Sequence, residues 1–508
     1  MAIFTLTNFA ISLLSLYVAR RLYWEMTTGS RIRAFAKQHG CLPAKERQTP
    51  FTLGAAFWWG QVKAIKEHRL LPYMAGQFKE VDGHTRHHYV LGTDFFTTDD
   101  PENIKAVLAT DFSKWSLGQE RIQEMSSYLG YGIFVNEGKA WKHSREMLRP
   151  CFERSQVADV NMLERHTQRL FDLVPKDGTT VDLQPLLHDL SMDVATELLF
   201  GKSTNALSRN EDDHEVRDFC DAFDYASNPF EREAFKKWGA ITLFLPDRLN
   251  AAKKNHVRVM QAFVDHIIDA HLTQLKSSPD EKRYNFISAL FESTDNRTTI
   301  RSELLNILLA GRDTVASLLS NIIWELPRHA HILSKLRSEI EETVGDATPT
   351  YEQLKDMKFL RAVVNESQRL YPIVPVNSRE ALQDTVLPRG SGEDEKSPVL
   401  VPKGSYVAWN MYSMQRREDL FGQDAEMFRP ERWLEPGFRP GWAYVPFSGG
   451  PRVCIGQNFA LTETMYVVVR LVQGFEIERK DFEEWREKFS ITCTGLGGCK
   501  VGLTARVS

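Results

Sequence analysis

Between Ser302 and Leu326 the chain is apolar on nearly every side of a helix. Leu304, Leu305, Ile307, Leu308, Leu309, Val315, Leu318, Leu319, Ile322, Ile323 and Trp324 leave no polar stripe to face water. A helix of this kind must be covered by protein all round. About 25 residues at 1.5 Å each give roughly 38 Å, enough to cross a whole domain. Glu303, Arg312, Asp313, Asn321 and Glu325 argue against a membrane span. Midway lies Ala310-Gly-Arg-Asp-Thr314. Gly311 removes a side chain where another group approaches closely, and Thr314 can bond the carbonyl of Ala310. Asp313 sets an acid beside that hydroxyl, the pairing a proton relay uses; a solvated acid and a back-bonded threonine is the plainer reading.

A second constraint lies at Phe447-Ser-Gly-Gly-Pro-Arg-Val-Cys-Ile-Gly456. Cys454 stands among glycines with Arg452 two residues before it, and Gln457 to Arg470 reads as a helix directly after. The cysteine therefore enters a tight turn at a helix N-terminus, where unsatisfied N–H groups and the helix dipole favour an anion. That environment lowers a thiol's pKa. A thiolate beside an arginine suits a metal centre that carries anionic groups of its own. A buried structural cysteine is the alternative.

The pattern Phe447, Gly450, Arg452, Cys454, Gly456 resembles the haem-binding loop of the cytochrome P450 family. Ala310-Gly-Arg-Asp-Thr-Val-Ala316 resembles the oxygen-helix signature of its fungal alkane- and fatty-acid-hydroxylating branch, whose members often carry a second threonine where this chain has Val315. The resemblance covers essentially the whole chain. It implies a mainly α fold with a smaller β-rich part, the helical triangular prism of that family, preceded by an N-terminal membrane-anchor helix. It implies haem b with Cys454 as axial thiolate, and Thr314 and Asp313 as the catalytic relay. Trp141 and Arg145, four apart and so on one helical face, become propionate partners with Arg379 and Arg452, and Phe447 and Gly456 shape the cofactor loop. Glu366 and Arg369, three apart, can pair on one face; the resemblance joins them to Arg432 in a buried network. Leu117, Phe223, Ala310, Val374, Val376 and Leu496 are the implied pocket residues.

The implied activity is insertion of one oxygen atom of O2 into a C–H bond of a long-chain apolar substrate, with electrons from NADPH-cytochrome P450 reductase. Lys139, Lys142 and Arg149 are a candidate landing patch for it, or a solvated helix face. Alternatives are tailoring of an alkyl-bearing secondary metabolite, an isomerase or dehydratase of the same fold that needs no outside electrons, and a haem-binding membrane protein without catalysis.

The expected organisation is an anchor over residues 1–21, a linker over 22–50 and a haem domain over 51–508. Residues 2 to 19 are mostly apolar, with no positive charge before them and Arg20, Arg21, Arg31 and Arg33 after. That charge order places the rest of the chain on the cytosolic face of the endoplasmic-reticulum membrane and argues against a cleaved signal. Asn8, Ser12 and Ser15 leave a shallow interfacial helix open as well. Thr27 to Pro50, with Gly29, Gly40 and Pro43, reads as a polar hinge. The near-balanced charge of −4 gives no sign of a nucleic-acid partner, and six irregularly spaced cysteines do not form a disulfide framework. Residues 112 to 134 read as loop. The aromatic stripe Phe223, Tyr225, Phe230, Phe235, Trp238 and Phe244 reads as core or as a lipid-facing roof, residues 388 to 398 as an exposed hairpin, and 494 to 498 as a hairpin tip.

Overall fold

The computed structural model describes residues 2–46, 54–90, 93–153, 159–208, 214–228, 251–277 and 286–506. Phe230, Phe235, Trp238 and Phe244 of the aromatic stripe lie outside the described residues. The chain gathers into two compact units that interleave in sequence. One comprises residues 1–54, 77–116 and 378–409; the other comprises 55–76, 117–377 and 410–508.

The smaller unit opens with the helix Ala2–Trp24, which passes through a π turn, Glu25–Gly29, into the helix Ser30–Gln38. Helical backbone therefore runs across the start of the expected hinge. Gly29 keeps helical dihedrals, and the turn comes at Gly40, with φ +66°. Phe9, Ile11, Leu13, Leu14, Leu16, Tyr17 and Val18 are exposed along the first helix. Among the described residues, no helix is long and apolar enough to cross a membrane.

The unit's sheet takes most of its strands from within it. Lys45–Glu46, Thr85–Val90, Thr93–Thr98, Tyr406–Asn410, Val376–Ala381 and Trp115–Ser116 lie side by side in that order. Thr85 faces Thr98 in the antiparallel pair, and Phe95 faces Tyr406 in a parallel one. Asp100 caps the helix Pro101–Lys105 by accepting from the N–H groups of Glu102 and Asn103, with proline at the first turn. The expected hairpin is present as Thr385–Ser391 against Ser397–Val401.

The larger unit is built on the helix Arg297–Glu325, whose Asn296 cap accepts from the Thr299 N–H. Its two halves enter different cores. Ile300 to Leu309 pack with Met125, Leu129, Phe219 and Phe263. Val315 to Leu326 pack with Leu186, Leu190, Leu360, Val364 and Val468. Fully burying one such leucine contributes roughly 1.5–3 kcal/mol, so each half is independently anchored. Between the cores, Ala310, Gly311, Asp313 and Thr314 are only half-buried.

In two further places the structure departs from the sequence expectation. Residues 112 to 134 contain the helix Gln119–Leu129, bracketed by Gly118 at φ +90° and Gly130 at φ +71°. Its apolar Ile122, Met125, Tyr128 and Leu129 have helical spacing, but the run is short and its polar residues dominate. The tip expected at 494 to 498 instead begins as a strand, Cys493–Gly495, paired with Glu487–Phe489.

Candidate functional site: the Cys454 loop and the oxygen helix

The loop from Phe447 to Gly456 is folded by its own backbone. Ser448 and Gly450 adopt positive φ, +61° and +65°. The Val453 N–H donates to the Gly450 carbonyl at 3.1 Å and the Cys454 N–H to the Phe447 carbonyl at 2.9 Å. A Cβ on Gly449 would stand 2.5 Å from the Trp442 ring, so only glycine passes there. Gly456 caps the helix Gln457–Gly474 at φ −88° and needs no left-handed conformation. Its N–H is what matters, because it pulls the Cys454 thiol down together with the Arg145 guanidinium. Burial outweighs both and pushes the thiol up. Cys454 is nonetheless exposed by surface area. A sulfur deep among protein atoms with open surface is placed to bond a group within the protein.

On the helix Gly138–Leu148, Trp141 and Arg145 share a face as expected. The Arg145 guanidinium donates to the Val453 carbonyl at 2.8 Å. The Arg145 and Arg452 guanidiniums lie 6.0 and 4.6 Å from the Trp141 ring centroid. Arg452 donates to the carbonyls of Asn136 at 2.7 Å and Ile133 at 3.5 Å. The loop that carries those carbonyls is itself held by the long helix: Glu303 accepts from the Ile133 N–H at 3.1 Å and Asn306 from the Phe134 N–H at 3.0 Å.

A further guanidinium, Arg121, escapes the sequence reading because its helix reads as loop. It donates to Asn377 at 2.7 Å and lies close enough to Arg452 to lower its pKa. Burial, the largest cause in each case, pushes all three arginines below their ordinary range, Arg452 to about 10. Among the described residues, none of the three is ion-paired to a carboxylate. The Glu137 carboxylate acts on Arg121 and Arg452 from a distance, but the hydrogen bonds of the three guanidiniums described here go to carbonyls and an amide. Three half-buried positive charges gathered in this way suit an anionic ligand. The site thus fits an iron–porphyrin, with Cys454 for the metal and the guanidiniums for its carboxylates. Arg379 belongs to the smaller unit, where it is buried, donates to the Ser378 carbonyl and lies 5.4 Å from the Trp409 ring.

In the long helix the Thr314 hydroxyl donates to the Ala310 carbonyl at 2.6 Å. A Cβ on Gly311 would stand 3.3 Å from the Ala195 methyl, a tight approach. Asp313 lies 3.4 Å from Arg312 and 3.5 Å from His188. Burial pushes its carboxyl up, but these two neighbours outweigh burial and hold it below the ordinary carboxylate range.

Glu366, Arg369 and Arg432 form one buried cluster. Arg369 reaches both Glu366 oxygens, at 2.9 and 2.8 Å, and Arg432 reaches one at 3.0 Å. Two members escape the sequence reading: the Trp433 indole donates to Glu366 at 2.9 Å, and Asp424 accepts from Arg432 at 3.0 Å. Of the implied pocket residues, Phe223 is packed against Phe219 in the core, and Leu117 is buried with its N–H on Glu137. Val376 packs beside Ala64, Leu70 and Met74. Ala310, Val374 and Leu496 are half-buried.

The family profile described as Cytochrome P450 matches residues 50–494. The chain belongs to the cytochrome P450 family. Cytochrome P450 monooxygenase fsdH of Fusarium heterosporum is 38% identical, over 97% of this chain and 86% of that protein. Cytochrome P450 monooxygenase himC of Aspergillus japonicus is 41% identical, over 91% and 82%. Cytochrome P450 52A12 of Debaryomyces hansenii is 39% identical, over 93% of each. As a cytochrome P450 monooxygenase, the protein uses haem b with an axial cysteine thiolate, and its fold is the mostly helical one of the family with a smaller sheet part.

Proposed function

We propose that the protein hydroxylates long-chain apolar substrates, fatty acids or alkanes, at or near the chain end, with electrons from an NADPH-dependent reductase. The observation that carries this reading is the break at half-buried Ala310, Gly311, Asp313 and Thr314 between two sealed cores of one helix, with the sequence resemblance of that segment to the alkane- and fatty-acid-hydroxylating branch. Bound haem supplies O2 activation. The chain's own residues do the rest: Cys454 binds the iron, Arg145 and Arg452 hold propionates, and Thr314 and Asp313 handle protons beside the oxygen site. Arg379 is a further propionate partner on this reading. Exposed Lys139, Lys142 and Arg149 around the helix Gly138–Leu148 offer the reductase a basic face. The helix Ala2–Trp24, along which Phe9, Ile11, Leu13, Leu14, Leu16, Tyr17 and Val18 are exposed, seats the enzyme in the endoplasmic-reticulum membrane, facing the cytosol.

Val315 favours a second reading. It is buried where relatives of that branch often have threonine, and a changed residue beside the relay accords with a different alkyl-bearing substrate, such as a secondary metabolite. Binding-difference spectra followed by product analysis across fatty acids, alkanes and alkyl polyketides separate the two. Chain-end alcohols from simple alkyl chains are expected; product from polyketides alone overturns the first reading. Turnover without reductase would point to an isomerase or dehydratase. Cys454→Ser is expected to abolish the thiolate-type carbon monoxide spectrum, and its survival would remove Cys454 as the ligand.

A further inference from the structure

Asp313 rests ionised, held by the positive charge of Arg312 and by His188. An acid that rests without its proton cannot begin a relay; a neighbour must load it first. Arg312 is unsuited to that task. Its guanidinium is held by both oxygens of Asp224, at 2.5 and 3.3 Å, and arginine does not release protons in this pH range. The Thr314 hydroxyl is engaged with the Ala310 carbonyl. His188 remains, on the neighbouring helix Leu183–Phe200, with Nδ1 3.5 Å from an Asp313 oxygen. Its side chain is 22% exposed against 16% for Asp313, so it touches both the acid and water. Histidine is the side chain that exchanges protons near neutral pH.

We propose that His188 loads Asp313 with protons from solvent, acting through that acid rather than on the substrate, while the Asp224–Arg312 pair fixes the charge on its other side. The proposal rests on the relay role of Asp313 and Thr314 given above. The imidazolium releases its Nδ1 proton to the Asp313 carboxylate and is left neutral. When the 3.5 Å contact opens, the same nitrogen takes a proton from solvent hydronium and leaves a water molecule, so that each cycle carries one solvent proton to Asp313. Atoms and charge balance without any further reactant.

Among the described residues, the charged and titratable groups around this pair come from four elements. Arg312 and Asp313 come from the long helix, and Asp189 follows His188 on its own helix. Lys488, from the strand Glu487–Phe489, acts on Asp313. Cys220, Asp221 and Asp224, from the helix His214–Ser227, and Asp189 form one electrostatic group with Arg312. Of the side-chain types in this group, histidine is the one that exchanges protons near neutral pH.

The test uses full-length holoenzyme with reductase and measures product and peroxide per NADPH between about pH 6 and 9, a span that brackets the imidazole range. In the wild type, product yield is expected to fall as pH rises across that span, because solvent protons for the path through His188 and Asp313 become scarcer. His188→Gln is expected to form product on the order of ten-fold more slowly, release more peroxide and lose that pH dependence while keeping the carbon monoxide spectrum. A His188→Gln enzyme with wild-type rate and profile overturns the proposal. Should that variant fail to load haem, a flat wild-type profile still overturns it, and His188→Asn repeats the comparison. Asp313→Asn and Thr314→Ala separate the two levels. If Asp313→Asn leaves yield unchanged, the relay reading itself fails. If Asp313→Asn impairs yield and His188→Gln does not, only the His188 assignment fails.

Discussion

Glu463 shows how burial alone can set a residue's chemistry. It lies on the helix Gln457–Gly474 behind Cys454, and its carboxyl meets the Ser191 hydroxyl at 3.3 Å. Burial pushes that carboxyl up to about 8, from 4.5. Between those two values the folded chain holds a proton that the unfolded chain has released. This residue's contribution is therefore fully present below about pH 4.5 and lost as pH rises through about 8. Each tenfold change in a protonation equilibrium is worth about 1.4 kcal/mol. Wild type and Glu463→Gln are expected to melt alike at acid pH, with the variant ahead by a few degrees at about pH 8.5. A melting difference that does not change with pH would show that Glu463 is not protonated in the fold. The same scale explains a residue that sequence reasoning passes over. Arg121 gives no local sign of its importance, because its partners Asn377 and Arg452 lie far along the chain.

At the scale of elements, the joint between the helix Lys358–Leu370 and the turn Pro430–Leu434 is ionic. Glu366, Arg369 and Arg432 are at most 1% exposed, and carbonyls of Gln415, Ala425 and Met427 take the remaining Arg369 donors. Removing one partner strands a buried charge, which costs roughly 3–5 kcal/mol. Arg369→Ala is expected to lose about that much in denaturant unfolding and to bind haem poorly. A loss under about 1 kcal/mol would mark the pair as no stronger than a surface one. The long helix makes a similar joint with the loop carrying Ile133 and Asn136. A Cβ on Gly132 would stand 2.5 Å from the Asn306 amide. The helix therefore sets the loop, and the loop's carbonyls set Arg452.

For the whole molecule, the membrane seat proposed for the N-terminal helix predicts that this helix can be removed without loss of the chemistry. Phe9, Ile11, Leu13, Leu14, Leu16, Tyr17 and Val18 along it are exposed. Deleting residues 1–24 is expected to move the protein from the membrane pellet to the supernatant while preserving the carbon monoxide spectrum. Retention in the pellet would show that another surface holds it there.

Periodicity and local motif carried much of this protein. The all-round apolar stretch requires a buried helix, and the structure buries Arg297–Glu325, which starts before the apolar pattern does because Asn296 caps it. The glycines around Cys454 and the helix behind it dictate a cysteine turn at a helix N-terminus, because those preferences act over a few residues. Side-chain geometry within one helix put Trp141 with Arg145 and Glu366 with Arg369. What the tertiary structure alone decided is which distant charges meet. His188 reaches Asp313 from another helix, and Arg312 reaches Asp224 across 88 positions. No local pattern encodes such pairs, since Coulomb attraction acts through space and only packing of the helices brings the partners within reach.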